Sequence, residues 1–215
     1  MKTKITFLIC MLVIINCNLF GASDDKLQLT EKFSYKINNT MSFKMELAGK
    51  SDESFADQDQ YSVDVGISKK IGKRWVLTPR YRHIQLGSTN TGAPSEHRYH
   101  MNLEYFNKIG KANYEIRHRY EYRQFENRYL KHRYANRVRI YIPTKKNKIS
   151  VMLLNKLYYD IDKFMFNATL PGIGLKFKTK KNESLEIYFA REYKKAGDKW
   201  DIKNHLLAID HSVSF

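Results

Sequence analysis

Residues 98–105 read Arg98, Tyr99, His100, Met101, Asn102, Leu103, Glu104, Tyr105, an unbroken alternation of water-seeking and oil-seeking side chains. Successive side chains of a β-strand point to opposite faces, so this stretch forms a ribbon with one polar and one apolar side. The same period of two runs through Met41, Phe43, Met45 and Leu47 against Ser42, Lys44 and Glu46. It recurs in Tyr61, Val63, Val65 and Ile67 against Ser62, Asp64 and Ser68, and in Trp75, Leu77 and Tyr81 against Thr78, Arg80 and Arg82. The chain closes on Leu207, Ile209, His211, Val213 and Phe215 in the same rhythm. No window sustains a helical stripe, and no later stretch approaches the ~20 apolar residues of a membrane helix.

The composition alone points elsewhere. With 38 Lys and Arg against 22 Asp and Glu, a formal charge of +16 and a mean hydropathy of −0.58, the 215 residues suit a soluble, basic nucleic-acid binder. The N-terminus argues against it: Lys2 and Lys4 precede an apolar run from Ile5 to Ile15, followed by Gly21, Ala22 and Ser23. That is the layout of a cleaved secretory signal peptide. The expected division is a leader over 1–22 and one domain over 23–215, exported and therefore without a nucleic-acid partner. Cys10 and Cys17 both fall in the leader, so the mature chain has no disulfide to rely on. Lipidation at Cys17 is the alternative, against which Asn16 is a weak match to a lipobox.

Short turns are expected near Gly72, Gly110, Pro143 to Asn147 and Lys181 to Asn182. Longer polar segments fall between them, at Ser51 to Asp59, Gly87 to Glu96, Gln124 to Arg128, Asp160 to Lys163 and Ala196 to Lys199. Short turns on one rim and long loops on the other are the habit of membrane barrels. About ten strands result. The segment Leu27 to Ile37 makes the count odd, so it is either an extra periplasmic or edge strand, or a sign that two strands merge within Phe164 to Lys178. The fold class is thus all-β, an antiparallel transmembrane β-barrel of 10–12 strands in a bacterial outer membrane. The 15 tyrosines supply interfacial girdles. The expected partners are the bilayer, lipopolysaccharide at cations near the rim, and the outer-membrane assembly machinery acting through a C-terminal strand that ends on Phe215. A soluble periplasmic β-protein is the rival fold.

If the apolar faces meet lipid, the alternate residues line the lumen. Between residues 80 and 139 that inward set holds Arg80, Arg82, Arg98, Arg117, Arg119, Arg123, Arg133, Arg137 and Arg139, against only Glu104, Glu115 and Glu121. Guanidinium forks grip carboxylates and phosphates bidentately and stay charged. A wet lumen of this kind would pass acidic solutes by diffusion and perform no chemistry. The alternative is a lumen plugged by charged networks, in a structural or adhesive barrel. Keeping both acids opposite arginines sets Glu121 opposite Arg133 and Glu115 opposite Arg139 and leaves Arg117 facing Arg137 uncompensated, whereas raising the sum of partner numbers by two leaves more arginine pairs face to face.

WVLTPRYRH (75–83), YEIRHRYEYR (114–123) and RYANRVRIYI (133–142) resemble the arginine-bearing strands of the small oligogalacturonate-specific porins and their sialic acid channel relatives. They also resemble a family of Arg-rich outer-membrane proteins of unknown function. The porin resemblance implies twelve strands, uptake of acidic oligosaccharides, and Arg117, Arg119, Arg137 and Arg139 as lumen arginines. An outer-membrane lipid-modifying enzyme is the competing class. The dispersed His83, His97, His100, His118, His132, His205 and His211 have no Ser or Asp partner at a motif spacing, so no catalytic residue is expected. His118 and His132 fall on the lipid face by parity, which requires a nearby interface or a bulge. The acidic residues Asp52, Glu53, Asp57 and Asp59 lack ordered calcium-ligand spacing, and neither a metal nor a cofactor is expected.

Overall fold

The computed structural model describes residues 25–51, 60–87, 95–126, 130–145, 148–197 and 199–215. The expected leader with its two cysteines lies outside the described residues, as do Asp52, Glu53, Asp57 and Asp59. The elements are β1 (Asp25–Lys36), β2 (Met41–Ser51), β3 (Gln60–Ile71), β4 (Trp75–Leu86), β5 (Ser95–Ile109) and β6 (Ala112–Phe125), followed by β7 (Leu130–Pro143), β8 (Ile149–Asp160), β9 (Met165–Lys180), β10 (Glu183–Ala196) and β11 (Lys199–Ser214). Each strand pairs with its sequence neighbours, and β1 closes on β11.

The count is eleven, not the twelve that the porin resemblance implies, and this has a geometric consequence. Each hairpin reverses the chain, so in a closed meander of odd number the first and last strands run the same way. The β1–β11 ladder is indeed parallel, from Asp25↔His205 to Ser34↔Ser214, while the other ladders are antiparallel. The segment beginning at Leu27 is therefore a full stave of the wall, neither an edge nor a periplasmic strand. Nor do two strands merge after Phe164: β9 is one 16-residue strand whose register shifts opposite Tyr158 and Tyr159.

The chain enters β1 at the rim of the longer connections and leaves β11 at the other. There the Lys36 amide donates to the Phe215 carbonyl at 3.1 Å, and the Phe215 amide to the Ser34 carbonyl at 2.8 Å. The alternation of connection length holds only in the first half of the chain. Strands β8 and β9 are joined by four residues, and β10 and β11 by two, as short as the turns opposite. Gly110, at φ +57°, makes the tight β5–β6 turn, a backbone region costly for other L-residues.

The outer wall carries exposed apolar side chains such as Phe43, Val63, Ile67, Met101, Leu153 and Ile173, as a lipid-facing surface requires. Ring pairs flank it: Trp75–Tyr105 at 4.7 Å toward the short-turn rim and Tyr81–Tyr99 at 5.3 Å toward the other. Three of the histidines are satisfied by tyrosines on this wall. His97 Nδ1 lies 2.7 Å from the Tyr81 hydroxyl, His132 Nδ1 lies 2.6 Å from that of Tyr120, and His118 meets Tyr134 and Asn136. The β6–β7 register runs unbroken past His118, so no bulge turns it inward.

The inner wall is not uniformly polar. Met152, Leu154, Leu170, Tyr188, Ala190, Leu206 and Ala208 form a buried apolar cluster inside β8–β11. Tyr188, 2 % exposed, fits because Gly174 stands opposite it: a Cβ there would come within 2.4 Å of the Tyr188 Cβ. Gly174→Val should therefore lower the stability of the refolded barrel by about 1–3 kcal/mol, the usual cost of overpacking a filled core. Urea unfolding followed by heat-modifiable gel migration measures this, and an unchanged midpoint would contradict the packing described.

Candidate functional site

The alternation that makes the strands amphipathic also decides what enters the lumen. All nine arginines expected there point inward, and Arg98, Arg119, Arg137 and Arg139 are buried. The β6–β7 hairpin pairs Glu121↔Arg133, Glu115↔Arg139 and Arg117↔Arg137, the register expected from charge avoidance, with Arg119 facing Ala135.

Most of these cations find carboxylates, several of them on strands remote in sequence. Arg80 and Arg82 both bond Asp64 of β3, and Arg82 also reaches Glu46 of β2 at 2.8 Å. Glu96 joins Arg98 at 2.9 Å and Arg123 at 2.7 Å. Glu121, 1 % exposed, joins Arg133 at 2.6 Å and Arg119 at 3.4 Å, and Arg119 donates to Asn102 at 2.7 Å. Arg137 bonds Glu115. Across the barrel, Arg139 meets Glu186 at 3.1 Å and Asp210 at 3.6 Å, which also hold Lys176 at 2.8 Å and Lys32 at 2.5 Å.

Sequence reasoning counted three acids against these arginines. The structure adds Glu46, Asp64, Glu96, Glu186 and Asp210, so the lumen is far more neutralised than the central strands alone suggest. The signal was partly visible: Glu46 and Asp64 sit at polar positions of their strands. That they meet β4 arginines, and that β10 and β11 acids reach Arg139, follows only from closure. Lys32, Lys44, Lys156 and Lys176 line the lumen as well and were not picked out.

A cavity of about 680 Å³ at the short-turn mouth of the lumen is lined by Glu115, Tyr141 and Lys176, and deeper in lie two smaller ones, of about 250 Å³ toward that rim and about 140 Å³ toward the other. The two smaller are both lined by Lys32, Glu46, Arg117, Arg137 and Arg139, which form the waist where they meet. Here the pairing is incomplete. Arg117 faces Arg137, Arg137 faces Lys156 of β8, and among the described residues neither Arg117 nor Lys156 forms an ion pair. The Nε atoms of Arg117, Arg137 and Arg139 are buried without an acceptor. A buried donor left unmet costs on the order of 1–3 kcal/mol, so the waist is a place where an anionic oxygen would be welcome. The buried His100 stands 3.4 Å from Asp64, and neither of its ring nitrogens has a hydrogen bond.

Residues 28–203 match the family described as a protein of unknown function, DUF2490. The chain belongs to that family. Two solved structures share its fold. One is a NanC porin, at a TM-score of 0.51 and 12 % identity, covering 86 % of this chain and 94 % of that one. The other is a KdgM porin in complex with disordered oligogalacturonate, at 0.50 and 14 %, covering 79 % and 90 %. No protein of curated function matches. This DUF2490 member thus shares the closed β-barrel fold of those outer-membrane proteins and is located in the bacterial outer membrane.

Within its lumen, deleting a shared acid and deleting an unpaired base should have opposite weight. Glu121→Gln strands Arg133 and Arg119 and should destabilise the barrel by up to about 3–5 kcal/mol, the cost of breaking a buried pair from one side. Arg117→Gln removes a like-charge contact with Arg137 and should be neutral or stabilising. Denaturant midpoints of both variants in one micelle system check the pair, and equal losses would refute the description of the waist.

Proposed function

We propose that this barrel is an outer-membrane channel whose arginine-lined lumen passes acidic solutes by diffusion, with no chemistry performed. The observation that carries the reading is the waist: Arg117, Arg137 and Lys156 stand together in a low-dielectric wall with fewer carboxylates than cations. Charge in such a wall acts more strongly than in bulk water, and a ring of it sets the sign of ion that enters. The carboxylate-paired arginines Arg82, Arg98, Arg119, Arg123 and Arg133 lie from the waist toward the long-connection rim, and Arg80 lines the cavity on the other side. Arg137 and Arg139 offer their free Nε donors to a passing oxyanion. Acidic oligosaccharides are the solute class that the likeness to the KdgM porin, described with oligogalacturonate, makes worth testing first.

One observation favours a second reading. The apolar cluster inside β8–β11 narrows the lumen and leaves the two deeper cavities small, which suits a plugged structural or adhesive barrel. Reversal potentials across a planar bilayer in a salt gradient separate the two. The parent protein should conduct, with anions preferred over cations. Replacing Arg117 and Arg137 together by Glu changes the waist by four charge units, so the preference should fall or reverse while insertion persists, because the lipid face is untouched. No conductance from correctly folded parent protein would favour the plugged barrel. Conductance with unaltered selectivity in the double variant would remove these arginines from the path.

A further inference from the structure

The outer wall of β10 and β11 departs from the lipid-facing pattern at Arg191. Arg191 follows the buried, inward Ala190 and so points outward, and it is exposed. It pairs across the ladder with His205, whose ring packs edge-on against Phe189 at 5.7 Å. Exposed Lys203 lies two residues from His205 on the same strand. Among the described residues neither Arg191 nor Lys203 forms an ion pair. Glu192, next to Arg191, points into the lumen and is taken by Asn204 at 2.5 Å and Lys194 at 3.8 Å, while Asp201 pairs across the ladder with Lys194 and Asp25 with His205.

The sheet is irregular on both sides of this point. On the β9 side, pairing runs to Ala190↔Gly172 and resumes only at Tyr193↔Thr169, skipping Arg191. Pro171, which has no amide hydrogen to give, occupies the gap. Proline inside a fully paired strand is unusual and marks a local departure. On the β11 side the register shifts between Glu192 and Tyr193, and Lys203 is the extra residue. A bulge re-aims side chains and increases local twist. Two independent interruptions therefore bracket the same residue and gather cations there.

Depth indicates what those cations meet. Arg191 lies five residues inside the end of β10, on the side of the longer connections, with Tyr193 and the half-exposed Trp200 just above it. Tyrosine and tryptophan of this kind sit at the headgroup level of a membrane, and the longer connections of such barrels face outside the cell. Cations immediately below that belt cost least when they reach an anionic headgroup.

We propose that Arg191 and Lys203, with His205 beside them, bind the phosphate of an outer-leaflet lipid on the outer wall of the barrel. Guanidinium takes two phosphate oxygens in its fork while the ammonium, a mobile point charge, neutralises a third. The lipid chains then lie along Phe189 and Leu207, which continue the same face toward the membrane interior. The site is separate from the lumen and stands whether or not the channel reading holds.

The test uses the full mature protein refolded in detergent, with Trp75→Phe leaving Trp200 as the sole tryptophan reporter near the site. The probes are lipid A bearing two phosphates, the same lipid enzymatically dephosphorylated, and inorganic phosphate. Trp200 fluorescence and native mass spectrometry of retained lipid should both give at least about tenfold tighter binding of the phosphorylated lipid, the scale of a charge-assisted hydrogen bond. Arg191→Gln with Lys203→Gln should abolish that preference and leave ion selectivity unaltered. Millimolar inorganic phosphate should not displace the lipid. Equal affinity for the two lipids, or a preference that survives in the double variant, would overturn the proposal, and so would displacement by inorganic phosphate. Should the double variant fail to show heat-modifiable folding, Arg191→Lys keeps the charge without the fork and should weaken phosphorylated lipid selectively. No change in that variant, once folded, would equally refute the site.

Discussion

A backbone amide facing hydrocarbon has no water to satisfy it, so a sheet that crosses a bilayer must leave no edge. In this chain that constraint falls on one ladder, between β1 and β11. The hairpin ladders form between strands adjacent in sequence, with little loop to close. The β1–β11 ladder joins residues some 180 positions apart, and until it forms, two strand edges stay open. Because eleven strands must close, that ladder is parallel and the two chain ends leave by opposite rims. It is also tied by side chains on both faces. Lys32 and Asp210 meet inside, while His211 contacts Glu31 and Glu183 outside at 2.8 and 3.1 Å.

Closure also explains how so many guanidinium groups share one interior. A charge taken out of water needs a partner with good geometry, and within-strand pairs such as Glu96–Arg98 and Arg119–Glu121 supply only part of it. The acids of β2 and β3 serve the bases of β4, and Glu96 of β5 holds Arg123 of β6. Those of β10 and β11 serve Arg139 of β7 from the far side. Where like-charged residues face each other across three strands, at Arg117, Arg137 and Lys156, the complement runs out among the described residues. That deficit coincides with the waist at which the two smaller cavities meet.

The lumen has two different walls as a result. From β1 to β7 it is an ionic network whose side chains hold one another; from β8 to β11 it is an apolar core in the manner of a soluble protein, with Tyr188 seated over Gly174. The first wall is charged along its length, whereas the second sets Lys156, Lys176, Glu186 and Asp210 around an apolar bulk. The outer surface is divided in a comparable way. An ordinary apolar band with aromatic rims covers most of it, and a cationic, irregular spot interrupts it at Arg191, where Pro171 and the bulge at Lys203 loosen the sheet.

The sequence by itself determined the strands and their faces, because alternation depends only on the two-residue repeat of the extended chain. It also favoured the β6–β7 register that forms, since raising the sum of partner numbers by two takes Glu115 and Glu121 away from Arg139 and Arg133 and sets more arginines face to face. The tertiary structure alone decided the number of staves, the direction of the closing ladder, and which distant acid neutralises which base. Those depend on how a curved sheet meets itself, and no local pattern encodes the distance across a lumen. The inner faces of β8 and β9 escaped notice for a related reason: Val151, Met152, Leu153 and Leu154 are apolar on both sides of the strand. Alternation then gives no sign of which side is the interior, and only closure assigns Met152 and Leu154 to the core.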